Sequence, residues 1–138
     1  MSKTVADVMT ANPATIDAGQ PVSVAARIMS SEDTGAVIIT NDGVISGIVT
    51  DRDIAVRIVA EDKGPDTPVQ DACSDDLVTV GPDTSLEQVV QLMRSRAVRR
   101  MPVVENNKAV GIVSIGDLAM ERDPDSALAD ISAAEGNQ

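Results

Sequence analysis

The chain carries one pattern of apolar and polar positions twice. In the first pass a short extended run, "ATI" at 14–16, leads through a turn to Val22, Ala25, Ala26 and Met29 at helical spacing, with Pro21 suited to the first turn of that helix. The runs "AVIIT" and "VISGIVT" then flank Asn41-Asp42-Gly43, residues that tolerate positive φ, which predicts a β-hairpin. A second helix is predicted over "DRDIAVRIVAED". The second pass reads "LVTV", a capping box at Thr84–Glu87, and Leu86, Val89, Val90 and Met93 on one helical face. A hairpin, "MPVV" and "AVGIVS" around "ENNK", and a last helix over "IGDLAMERD" complete it. Each pass is strand, helix, strand, strand, helix.

The two passes are copies. An offset of 64 residues places Val5 on Val69, Asp7 on Asp71, Thr15 on Thr79, Met29 on Met93, Gly47-Ile48-Val49 on Gly111-Ile112-Val113, and Asp53 on Asp117, without a gap. The division expected is a first unit at 1–64 including the N-terminal segment, a second at 65–122, and an acidic tail at 123–138 whose helical content the pattern leaves open. A lone unit of roughly 60 residues buries too little surface to be more than marginally stable. The pattern therefore predicts an α+β domain in which two β-α-β-β-α units pack sheet to sheet with pseudo-two-fold symmetry.

Composition narrows the chemistry. Hydrophobic residues make up 43% of 138, yet Phe, Tyr and Trp are absent, so the core is aliphatic. No apolar run reaches the roughly 18 residues of a membrane span and no signal-peptide pattern opens the chain, so a cytoplasmic, membrane-free protein is expected. The lone Cys73 cannot form an intramolecular disulfide and reads as a small buried hydrophobe. A net charge of −11 supplies no basic stripe for a phosphate backbone, which argues against nucleic acid. Without histidine the usual general base and commonest metal ligand are missing, and no P-loop or GxGxxG run is present, so independent catalysis is not expected.

The chemistry-bearing motif is doubled as well: "GIVTDRDI" at 47–54 and "GIVSIGDL" at 111–118. Thr50 with Asp53, and Ser114 with Asp117, fit a helix capping box, in which the hydroxyl accepts from the third amide and the acid accepts from the cap amide. Such a cap is worth about 1 kcal/mol without any ligand.

Two such units, each ending in glycine, two aliphatics, Thr or Ser, two variable residues and Asp, resemble a tandem CBS domain pair (Bateman module) over about residues 4–122. "RRMPVV" at 99–104 is similar to that family's second-strand signature; its counterpart "GAVIIT" matches less well. The resemblance implies a stand-alone regulatory module whose clefts between the two units hold AMP, ADP, ATP or S-adenosylmethionine, with no required cofactor and magnesium only through phosphate. It also implies a homodimer formed through the helices and a separate, unknown downstream protein. An alternative in the same family is a ligand-free interaction or stress-response protein.

Local chemistry agrees with the first of these. Asp53 and Asp117 could each accept hydrogen bonds from both ribose hydroxyls, and Thr50 and Ser114 stand where a helix N-terminus offers amides to phosphate. Arg99 and Arg100 could clamp a phosphate in the second copy, whereas Gly35 and Ala36 occupy those places in the first. Arg52 could substitute for that cation in the first copy, or be a solvated helix-end residue, the reading preferred here. Strand position nominates Ile16, Val37 and Ile39 in one site and Val80, Met101 and Val103 in the other as neighbours of an adenine ring, and Thr15 and Thr79 as further ligand-binding candidates.

Overall fold

A computed structural model describes residues 3–73 and 77–122. In chain order these form α1 (Val5–Val8), β1 (Thr10–Ala11), β2 (Thr15–Asp17), α2 (Val22–Glu32), β3 (Ala36–Asn41), β4 (Val44–Thr50) and α3 (Asp51–Ile54). A π-helical turn (Ala55–Val59) and a 3-10 turn (Val69–Asp71) follow, then α4 (Leu86–Arg96), β5 (Arg100–Glu105), β6 (Lys108–Ser114) and α5 (Ile115–Arg122). The fold class is α+β. The chain divides into two compact units, Ala14–Leu77 and Met1–Pro13 with Val78–Gln138.

In the first unit β2 runs parallel to β3, and β3 antiparallel to β4. In the second, β6 lies between β1 and β5, both antiparallel to it. The hairpins are duplicates in detail. Asp42 and Gly43 have φ of 53° and 81°, and Asn106 and Asn107 have 54° and 66°, so each two-residue loop turns with both central residues left-handed. That geometry matches the twist of the flanking strands and suits Asn, Asp and Gly. Each hairpin also shifts register at the same place, between Ile39 and Thr40 and between Val103 and Val104.

Each unit closes its own aliphatic core. Ile16, Val22, Ala25, Val37, Ile39, Val49 and Ile58 form the first, and Val80, Val89, Met93, Met101, Val103, Val113 and Leu118 the second. Full burial of one such side chain contributes about 1.5–3 kcal/mol. The residues that complete the cores come from an unexpected place. Val5, from the N-terminal segment, belongs to the second core, while Val69 and Ala72, from the segment preceding the second copy, belong to the first. The compact units thus differ from the division of the sequence at residue 64: each leader segment serves the sheet of the other copy.

Several elements depart from expectation. "LVTV" forms no full strand; Val80 makes a single parallel bridge to Val103, with Val80 donating to the Pro102 carbonyl and accepting from Val104. "DRDIAVRIVAED" starts as an α-helix but widens to a π-turn at Ala55–Val59, a stretch dense in β-branched residues that crowd a regular helix. The box at the start of α4 is Ser85 with Gln88, and Thr84 instead accepts from Gly81 N at 3.0 Å. Cys73 is only half-buried. The tail at 123–138 lies outside the described residues.

Candidate functional site

In the second unit β6 ends at Ser114 and α5 begins at Ile115. Ser114 Oγ accepts from Asp117 N at 3.2 Å, and Asp117 Oδ2 accepts from Ser114 N at 2.8 Å and from Ser114 Oγ at 3.1 Å. The sheet register sets Arg100 directly across from Ser114, and Ile115 N donates to the Arg99 carbonyl at 2.9 Å. Backbone geometry therefore brings Arg99, Arg100, Ser114 and Asp117 to one corner, where β5 starts and α5 starts. Asp117 is half-buried, and burial pushes its carboxyl above the ordinary 3.8 against the opposing hydrogen bonds from Ser114. Its Oδ1 accepts no hydrogen bond among the described residues, so one oxygen of a partly desolvated carboxylate is left for something else.

The corresponding corner of the first unit has the same backbone and different chemistry. Thr50 Oγ1 accepts from Asp53 N at 3.1 Å and Asp53 Oδ2 accepts from Thr50 N at 2.9 Å. Thr50 lies across from Ala36, and Asp51 N donates to the Gly35 carbonyl at 3.0 Å. No cation stands on that strand. The second oxygen of Asp53 faces Arg57 at 3.8 Å, and Arg57 is anchored by donating to the Ala72 carbonyl at 3.2 Å. Arg52 is exposed at the helix end, as read from sequence.

The nominated strand residues divide by alternation. Thr15 and Thr79 are exposed, whereas Ile16, Val37, Ile39, Val80, Met101 and Val103 fill the cores. In this structure those six residues are buried and offer no free surface. Thr79 and Val80 edge an open depression of about 640 Å³ together with Thr84 and Gln88. Neither that depression nor a groove of about 520 Å³ beside Arg99 is lined by Ser114 or Asp117.

Two features went unread in the sequence. Thr4 and Asp7 repeat the Thr-x-x-Asp spacing, and Asp7 Oδ2 accepts from Thr4 N at 2.9 Å at the start of α1, with no strand arginine near it in sequence. Capping alone can thus produce the motif. The glycines of both motifs are contact points: Gly47 lies beside Cys73 and Gly111 beside Met9, and Met9 and Cys73 are themselves 64 residues apart.

Fold and site together define a duplicated α+β module in which each sheet hands its last strand to a capped helix, and at one of the two corners two arginines lie where the facing strand begins. The chain belongs to the CBS domain family, residues 5–60 and 69–123 each matching the CBS domain. A CBS domain-containing protein of Bacillus subtilis (strain 168), YhcV, is 41% identical over 132 residues, 93% of this chain and 94% of that protein. A crystal structure of Hypoxic Response Protein I with two coordinated zinc ions is 30% identical, with a TM-score of 0.76 over 86% of this chain and 98% of that one. The CBS domain pair of protein MJ0100, crystallised with 5′-methylthioadenosine and S-adenosyl-L-methionine, shares the fold at a TM-score of 0.82 and 23% identity, over 91% of this chain and all (100%) of that one. Zinc does not fit this chain: it has no histidine and a single cysteine, and no cluster of three His, Cys, Asp or Glu occurs among the described residues. No helix among the described residues is long and apolar enough to cross a membrane.

Proposed function

We propose that this protein is a regulatory module, not an enzyme, that binds an adenosyl compound at the corner formed by Arg99, Arg100, Ser114 and Asp117 and passes the bound state to a separate protein. AMP, ADP, ATP and S-adenosylmethionine are the ligands considered, magnesium entering only with a phosphate. The observation that carries the proposal is the Asp117 oxygen that accepts no hydrogen bond among the described residues, at the corner to which the backbone brings Arg99 and Arg100. A carboxylate can accept from both ribose hydroxyls, each such charge-assisted bond contributing about 1.5–3 kcal/mol, and the arginines suit phosphate. The complex of the MJ0100 CBS domain pair with two adenosyl compounds supports this choice of ligand class. Val56 and Val59 after α3, and Ile115 and Met120 on α5, are exposed apolar side chains on helices, which supports a homodimer built through helical faces.

A second reading is a ligand-free interaction protein. It is supported by the Thr4–Asp7 pair, where the same spacing does nothing but cap a helix.

Nucleotide binding separates the two. The chain lacks Trp and Tyr, so bound adenine shows as a 260 nm band over almost no protein background. A ligand at a hundred times its Kd adds about 2.7 kcal/mol of stability and raises the melting temperature accordingly. Asp117→Asn keeps an acceptor for the Ser114 amide and removes the charge, so the proposal expects it to fold normally and bind about ten-fold more weakly. If millimolar AMP, ADP, ATP and S-adenosylmethionine all leave the melting curve of the native chain unmoved, nucleotide binding is wrong and the interaction reading stands.

A further inference from the structure

The helices that lead into β3 and β5 end alike in backbone and opposite in charge. The end of α2 with its cap reads Ser30-Ser31-Glu32-Asp33, and the end of α4 with its cap, 64 residues on, reads Arg94-Ser95-Arg96-Ala97. All eight residues are exposed. A helix C-terminus carries partial negative charge, so Arg94 and Arg96 are stabilising where they stand, whereas Glu32 and Asp33 meet a charge of their own sign. None of these four side chains has an ion pair among the described residues. Helix electrostatics therefore account for the arginines and not for the acids.

Each charged block borders an apolar helical surface. Arg94 and Ala97 line the groove of about 520 Å³ between α4 and α5 together with Val90, Met93, Ile115 and Leu118, and Ile115 is 55% exposed there. In the first unit α3 starts beside the end of α2, Asp51 N donating to the Gly35 carbonyl, and Val56 and Val59 in the following turn are 49% and 66% exposed. These are the helical faces that support a homodimer. If each met its own kind, Arg94 and Arg96 would face arginines and Glu32 and Asp33 would face acids; if unlike faces meet, both sets are neutralised. Two copies that each carry a net charge of −11 already repel, so a local attraction of this kind decides their orientation.

We propose, taking that homodimer as given, that it pairs unlike units: the end of α4 in one copy lies against the end of α2 in the second copy, with Arg94 and Arg96 facing Glu32 and Asp33. A two-fold axis makes the contact twice, so every charge of the four is matched in both copies. Arg99 and Arg100 take no part in the pairing and stay with the ligand corner.

Sedimentation equilibrium of the full chain tests the pairing, with circular dichroism to check that each variant is folded. Arg94→Glu with Arg96→Glu, and separately Glu32→Arg with Asp33→Asn, should each weaken self-association about ten-fold, a small loss per exposed pair that the two-fold axis doubles. The second variant is the sharper of the two. It makes the chain less negative overall, so general repulsion between copies falls, and only the loss of a specific contact can weaken its dimer. Mixing the two variant chains should restore association to within about three-fold of native, because each contact again joins opposite charges. A Glu32→Arg, Asp33→Asn chain that associates as tightly as the native one, or more tightly, overturns the pairing and leaves the dimer standing. A native chain that sediments as a monomer overturns the dimer and the pairing together.

Discussion

The two copies differ most where they look most alike. Both strands β4 and β6 end in a hydroxyl residue that caps the next helix, and both caps are closed by an aspartate at nearly the same distances. Around that shared backbone the second unit has Arg99 and Arg100 where the facing strand begins and an Asp117 oxygen with no hydrogen bond among the described residues, while the first has Gly35 and Ala36 and an Asp53 oxygen turned to Arg57. Hence the capping device recurs with and without the arginine set that the proposed function uses. The largest effect expected follows directly: Arg99→Ala with Arg100→Ala should weaken a phosphorylated ligand by about 100-fold, two charge-assisted contacts being lost. Arg52→Ala in the first unit should change affinity less than about two-fold, since an exposed charge contributes little. Equilibrium dialysis with AMP checks both, and equal losses would erase the distinction between the corners.

A second contrast lies beneath the motifs. A Cβ on Gly111 would press on the Met9 side chain, 2.9 Å from its Cγ, and on the Thr10 carbonyl at 3.1 Å; on Gly47 it would meet Cys73 Sγ at 3.3 Å. Met9 can move, but the Thr10 carbonyl belongs to β1, whose pairing to β6 holds the N-terminal segment in place. Gly111→Ala is therefore expected to cost about 1–3 kcal/mol by overpacking. For Gly47→Ala the thiol need yield only slightly, and the gain from removing a strand glycine, about 0.5 kcal/mol, offsets the crowding. Urea midpoints decide it; a Gly47→Ala loss as large as that of Gly111→Ala would show that the two leaders are gripped alike.

This contrast also shows what the sequence conveys and what it withholds. The hairpins were legible because Asp42-Gly43 and Asn106-Asn107 signal their turns locally, and the capped helices because hydroxyl and acid sit three apart. The destination of the leaders was not. Val5 and Val69 are the same residue in equivalent places, so either could complete either core, and nothing local distinguishes a leader that stays with its own copy from one that crosses. The register that brings Arg100 across from Ser114 was likewise invisible as geometry, although "RRMPVV" marked the strand. Burial was the harder matter: Ile16, Val37, Ile39, Val80, Met101 and Val103 were identified as strand residues, but a position on a strand does not say whether the side chain faces a ligand or the core.

Asp117 can be set apart by pH. Its folded carboxyl is raised by burial above 3.8, so between the ordinary value and the folded one the native state holds a proton that the unfolded chain has released. The sign is a stabilisation at low pH that is lost as pH rises from the ordinary value through the folded one, after which the contribution is flat. Asp117→Asn removes this slope while keeping the Ser114 cap. Measured as pH rises from 3.5 to 7, the stability of the native chain should thus carry a falling component that the variant lacks. An identical slope in both would mean that ionising Asp117 carries no penalty in the fold, and the second corner would lose the desolvation that separates it from a plain cap.

The smallest expected effect sits at the ends of α2 and α4, where the copies again share a conformation and differ in residue. Asp33 and Ala97 both adopt the left-handed region, at φ of 56° and 54°, and donate to the Met29 and Met93 carbonyls. An alanine there bears the clash of its Cβ with the backbone, roughly 1 kcal/mol, with no side-chain hydrogen bond in return, whereas aspartate tolerates the region better. Ala97→Gly should therefore stabilise the protein by up to about 1 kcal/mol even after the extra freedom glycine gives the unfolded chain. Asp33→Gly should gain a few tenths at most, roughly. Thermal unfolding of the two variants side by side resolves the difference. A gain at Asp33 matching that at Ala97 would show that backbone strain alone sets the energy of these caps, while no gain at Ala97 would mean that the turn into Val98 and Arg99 already holds that residue without strain.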